Sequence, residues 1–169
     1  MSSFNLERFR FEPSQLEAVK SQFQRIASAV RLHAIEANIR GAVPRASGCY
    51  FWTLRLSEAE YRIYVGRTRS MWKRFSDYAN EIQIHAPNDY KLRFFQELVF
   101  ETEPSASFDL YFMAVPEDHF KRREAELIRE FKPFINYLRP PTSEDRKRIR
   151  DGFRAYYRGA FFHPCGEDQ

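Results

Sequence analysis

Two aromatic, β-branched stretches lie almost back to back, at residues 48–56 and 61–66. Side chains of this kind favour a pleated, half-buried surface. Ser57-Glu58-Ala59-Glu60 separates them and reads as a turn, so the pair is expected to form a β-hairpin. A third run, Ser-Phe-Asp-Leu-Tyr-Phe-Met-Ala-Val at 107–115, reads as another strand.

Helices are expected around these strands. Residues 13–39 read as one long helix: Ser14 and Glu17 form a capping box, Leu16, Val19, Phe23, Ile26 and Val30 follow helical spacing, and Gly41 and Pro44 end it. Its expected role is packing, with a dimer contact as the alternative. Ser70 can cap a helix running to about 83. Residues 89–100 form an amphipathic segment with Leu92, Phe95, Leu98 and Val99 apolar. A helix over 117–131 stops before Pro133. After Pro140-Pro141, Thr142 or Ser143 caps a last basic helix to about 157. The order predicts an α+β fold, a small three-stranded antiparallel sheet flanked by helices. Residues 1–47 would be a helical extension, 48–138 the core, and 139–169 a basic helix and tail.

Length and composition fit a single globular unit: 169 residues, 43% hydrophobic and 30% charged. Longer apolar runs are absent, so neither a membrane span nor a signal peptide is expected, and the protein is expected in the cytoplasm. Cys49 and Cys165 are too few and too far apart for a disulfide framework or a zinc site. Charge is uneven. Residues 1–47 hold seven Lys and Arg against four acids, 48–138 hold thirteen against fourteen, and 139–158 hold seven against three. Basic segments flank a nearly neutral centre, which suits a nucleic-acid partner.

Three short stretches carry candidate chemistry. Gly48-Cys49-Tyr50 opens the first strand. Tyr64-Val65-Gly66-Arg67-Thr68 closes the second and leads to Arg74 and Tyr78, four apart on one helix face. The third runs from Glu124 to Asn136. Glu124 is the odd residue in it. It sits four after Phe120 and four before Ile128, on the apolar face of its helix, while Glu126 and Glu130 point elsewhere. Buried acids are normally paired or metal-bound. Either an ion pair with an arginine or a metal-binding or catalytic carboxylate accounts for it. Arg67 and Arg69, with the backbone N–H groups of a helix start, make a natural anion site, or else a solvated basic turn.

Together these stretches resemble the GIY-YIG nuclease domain, and most nearly the N-terminal nuclease domain of the UvrC excision-repair proteins. That family carries Gly-x-Tyr, then Tyr-Ile/Val-Gly, with Lys or Arg three after the second Tyr, Arg ten after it, and Tyr or His four later. A final helix carries Glu-x-x-Leu-Ile, then Lys-Pro and Asn. Here the pattern falls on Tyr50, Tyr64, Arg67, Arg74, Tyr78, Glu124 and Asn136. It covers residues 48–137. Two features depart from it. Cys49 replaces the usual Ile or Val, which suggests packing rather than thiol chemistry. The two motif tyrosines are also unusually far apart, at 50 and 64. They share a face only with a three- or five-residue loop or a bulge; a clean two- or four-residue loop would separate them.

The resemblance implies metal-dependent hydrolysis of DNA phosphodiester bonds. Glu124 would be the sole protein ligand of Mg²⁺, which keeps several waters; Mn²⁺ is the second option. Tyr50 would take the proton from water. A phenol is a weak base, so Arg67 and Arg74 would stabilise its anion and the phosphate. Tyr64 would orient Tyr50 or the water, Tyr78 would bind phosphate or position the nucleophile, and Asn136 would hold the site together. Arg69 and Lys73, with Arg146, Lys147, Arg150 and Arg154 of the basic helix, would grip the DNA backbone; a solvated helix face packing Ile149 and Phe153 is the plainer account of that helix. The expected partner is duplex DNA, with no membrane. A dimeric restriction endonuclease, an inactive DNA-binding module and an RNA nuclease are the alternatives.

Overall fold

The aromatic hairpin forms as β2 (Gly48–Leu56) and β3 (Ala59–Thr68). This computed structural model describes residues 6–28, 41–79, 87–137 and Asp151. The turn is tighter than the four residues expected: Leu56 pairs with Ala59, leaving only Ser57 and Glu58 between. Ser57 takes a left-handed φ of 51° to close it. Such a loop alone would set Tyr50 and Tyr64 on opposite faces. A bulge opposite Trp52/Thr53 prevents this, because Trp52 pairs with Tyr64 while Thr53 pairs with Arg62. Ile63 is the extra residue, and both Ile63 and Tyr64 then bury on the side that holds Tyr50.

The α+β class holds, but among the described residues the sheet has four strands rather than three. β4 (Ser107–Ala114) pairs with β2, and β1 (Gln24–Ala27) pairs with β4, all antiparallel, in the order β1-β4-β2-β3. β1 overturns the long helix expected from residue 13. The helix α1 covers only Pro13–Gln22, and Phe23 is already extended, with φ −118° and ψ 143°. Its cap is also displaced: the Gln15 side chain accepts the Glu12 N–H at 3.2 Å, in place of a Ser14–Glu17 box. The apolar spacing of Phe23 and Ile26 fits helix and strand alike. What decides is β4, whose open edge would otherwise leave backbone groups unpaired. Residues 29–39 of the expected helix lie outside the described residues.

The remaining helices are α2 (Met71–Ala79), α3 (Pro87–Thr102), α4 (Glu117–Phe131) and the short α5 (Phe134–Tyr137). α4 ends where Pro133 requires, with Lys132 in the left-handed region at φ 45°. The sheet is covered on both faces. Tyr50, Trp52, Leu54, Ile63 and Tyr64 pack with Phe75 and Tyr78 of α2, Leu92 and Phe95 of α3, and Phe134 and Ile135 of α5. Cys49, Phe51, Val65 and Tyr111 pack with Val19 of α1 and with Leu127 and Phe131 of α4. Thus α2 and α4 sit on opposite faces of one hairpin.

β3 is a sheet edge, and other segments pack along it. The Phe11 N–H donates to the Glu60 carbonyl at 2.9 Å, and the Arg62 guanidinium donates to the carbonyls of Phe9 at 3.1 Å and Arg8 at 2.7 Å. Further along, Asn136 acts as a substitute strand. The Val65 N–H donates to its Oδ1 and its Nδ2 donates to the Val65 carbonyl, both at 2.8 Å. Removing that amide strands two buried backbone groups, each worth roughly 1–3 kcal/mol. Asn136→Ala should therefore lower the unfolding free energy in urea by about 2–4 kcal/mol; a loss well under ~1 kcal/mol would mean the clamp is dispensable.

Candidate active site

The end of β3 opens into a cleft of about 560 Å³, walled by the α2 start on one side and by α4 on the other. Tyr50, Tyr64, Arg67, Arg74, Glu124 and Asn136 all line it, as do Arg69 and Lys73. Five elements, β2, β3, α2, α4 and α5, therefore bring six of the seven motif residues to one place. The seventh, Tyr78, is not among the lining residues and is buried against Tyr50, which is itself 1% exposed. The two hydroxyls are 3.1 Å apart. Tyr78 is thus placed to hold Tyr50 rather than to touch a phosphate. Arg146, Lys147, Arg150 and Arg154 lie outside the described residues.

The aromatic wall is built edge to face, the arrangement ring quadrupoles favour. Tyr64 meets Tyr50 with ring centres 6.0 Å apart, Tyr50 meets Tyr78 at 6.3 Å, and Tyr78 meets Trp52 at 5.7 Å. Gly66 makes room for this. A Cβ there would lie 2.5 Å from the Tyr50 ring and hydroxyl, so the Tyr-Val-Gly motif needs its glycine for close approach rather than for a turn. Asn136 clamps Val65, between Tyr64 and Gly66, and so fixes the strand beneath both tyrosines.

The charged wall is equally specific. Glu124 forms an ion pair with Arg67, which answers the sequence question of what meets an acid on an apolar helix face. The Arg67 guanidinium also lies 5.7 Å from the centre of the Phe120 ring. Nearby, Arg69 donates to Glu117 at 2.5 Å. The Arg74 guanidinium sits 5.9 Å over the Tyr78 ring. The backbone N–H groups expected to bind an anion are not available. Met71 donates to the Ala46 carbonyl at 3.0 Å, Trp72 to Pro44 at 2.9 Å, and Arg74 to Ser70 at 3.0 Å. The Lys73 N–H donates to the capping Ser70 Oγ at 3.4 Å. The positive groups of this cleft are therefore its side-chain cations, Arg67, Arg69, Lys73 and Arg74.

Asp77, Phe120 and Ile128 also line the cleft and were not singled out by sequence. A signal existed for each. Asp77 is four after Lys73 and three after Arg74, and Phe120 and Ile128 flank Glu124 by one turn each way. Among the described residues no three His, Cys, Asp or Glu side chains gather in a metal-binding group. The carboxylates of the lining are those of Asp77 and Glu124; a site with so few protein oxygens suits an ion that keeps most of its water. Cys49 packs as expected. It is fully buried, its thiol reaches the Phe120 carbonyl at 3.6 Å, and burial, aided by the Glu124 charge, pushes its pKa up to about 12.

No known protein family, curated protein or solved structure matches this chain. Among the described residues no helix is long and apolar enough to cross a membrane.

Two outcomes are expected. Gly66→Ala should displace Tyr50 and destabilise the protein by roughly 1–3 kcal/mol, measured by denaturant unfolding; wild-type stability would show that the ring contact yields freely. For Cys49, the raised pKa means the neutral thiol's contribution is fully present below its ordinary value of 9.0 and is lost as pH climbs towards about 12. In a Cys165→Ser background, native protein at pH 9 should resist iodoacetamide, while unfolded protein reacts readily.

Proposed function

We propose that this chain is a GIY-YIG-type endonuclease that hydrolyses DNA phosphodiester bonds. The observation that carries the reading is the shared cleft. Six motif residues, drawn from positions as distant as Tyr50 and Asn136, line it together, and the β-bulge turns both motif tyrosines to one face. The four-stranded sheet with α2 and α4 on opposite faces would be an elaborated form of that family's fold.

The chemistry follows from the side chains. Arg67 and Arg74 offer guanidinium groups to a phosphate and offset the charge that builds on it in the transition state. Tyr50 takes the proton of the attacking water, with its hydroxyl held 3.1 Å from that of Tyr78 and its ring held edge-on by Tyr64. Glu124 would hold a divalent cation, Mg²⁺ or Mn²⁺, which when bound would neutralise phosphate charge. Arg69 and Lys73 extend the positive rim along the approaching strand. The basic stretch with Arg146, Lys147, Arg150 and Arg154 would add phosphate contacts of its own.

Incubation with plasmid DNA and Mg²⁺, with and without chelator, tests this directly. Chelator-sensitive cleavage is expected, and sequencing the ends separates a sequence-specific enzyme from a nonspecific one. Glu124→Gln should abolish cleavage while leaving the fold intact. Tyr50→Phe should slow it at least ~100-fold. Undiminished cleavage by Glu124→Gln would falsify the assigned role of that carboxylate, and binding without cleavage by the wild type would favour a DNA-binding module.

A further inference from the structure

The carboxylate assigned to the cation already has a partner. Arg67 pairs with Glu124, and the pair is lopsided: the Glu124 side chain is 16% exposed and the Arg67 side chain 39%. The acid is set into the wall while the guanidinium faces the cleft. A divalent cation and a guanidinium on the same carboxylate repel each other, so each weakens the other's hold. The rest of the lining makes the competition harder for the metal. Arg67, Arg69, Lys73 and Arg74 outnumber Asp77 and Glu124, so the cleft lining is net positive.

We propose that Arg67 is an exchange latch that couples cation loading to phosphate arrival. With no phosphate in the cleft, Arg67 neutralises Glu124 and keeps the cation out. An entering phosphodiester draws the guanidinium away, because carboxylate and phosphate present oxygens to the same planar fork. The hydrogen bond Arg67 loses on Glu124 is remade on the phosphate. The bared carboxylate then accepts the cation beside an anion that lowers the local positive potential. Phosphate and metal thus strengthen each other's binding by the same factor, as linkage requires. The inference rests on the nuclease reading, since it presumes that a cation belongs on Glu124.

The test is the Mn²⁺ affinity of the DNA-free protein, measured by electron paramagnetic resonance or calorimetry. Arg67→Met should bind Mn²⁺ about 5- to 50-fold more tightly than the wild type, within the usual range of coupling between two sites. Adding Glu124→Gln to that variant should erase the gain. Arg67→Gln, also uncharged but polar, serves as the second variant should the first fail to fold, and thermal melts followed by circular dichroism establish folding. If both uncharged variants bind Mn²⁺ no better than the wild type, while Glu124→Gln weakens all of them, the latch is wrong and the metal reading stands. If Glu124→Gln changes Mn²⁺ affinity in no background and also leaves cleavage intact, both the latch and the reading beneath it fail.

Discussion

A single extra residue in β3 governs how the molecule is put together. Side chains alternate along a strand, so a slip of one residue sends every later side chain to the other face. The two-residue turn at Ser57-Glu58 imposes one phase on the hairpin and the bulge at Ile63 imposes the other. Beyond the bulge, Tyr64 and Gly66 face α2 and α3, and Val65 faces α4. Without it, Tyr64 would be driven among Phe51, Leu127 and Phe131, and Val65 would lie under Tyr50. Neither the aromatic wall nor the core behind it would form.

That register needs support, because β3 is an edge strand and edges are weakly specified. Support comes from the far end of the chain. Pro133 and the left-handed Lys132 stop α4 and swing the next turn back across the sheet edge, where Asn136 bonds both backbone groups of Val65. The same short segment carries Phe134 and Ile135 into the core. One amide therefore links the last described helix to the strand that carries Tyr64, Gly66 and Arg67. Local backbone geometry, core packing and cleft shape depend on it jointly.

The cleft's electrostatics follow from how α2 is capped. The carbonyls of Pro44 and Ala46, with Ser70, consume the N–H groups of its first turn, so the helix start is closed and offers no ready anion site. Positive charge is supplied instead by long side chains on the β3–α2 turn and on the exposed face of α2. Such cations can change partners, as fixed amides cannot. In this structure Arg67 lies over Phe120 and against Glu124, and Arg69 lies against Glu117, all on α4.

Much of this was legible in the residues. Strand and helix periods mark β2, β4 and α4, and place Glu124 inward, because burial imposes a repeat on any element that covers a core. The motif spacing singled out Tyr50, Tyr64, Arg67, Arg74, Glu124 and Asn136 as a group, and parity along the strand required a bulge or an odd loop. Three matters were decided only in three dimensions. Phe23 and Ile26 fit a helix or a strand equally well, and the free edge of β4 chose the strand. Tyr78 shares a helix face with Arg74, yet the packing of Tyr50 over Gly66 puts it behind the wall rather than in the cleft. Glu124 needed a partner, but that the partner is Arg67, far away in sequence, follows from the closing of α4 against β3. Local periodicity reports which way a side chain faces; what it meets there is set by long-range contacts that no short stretch of sequence encodes.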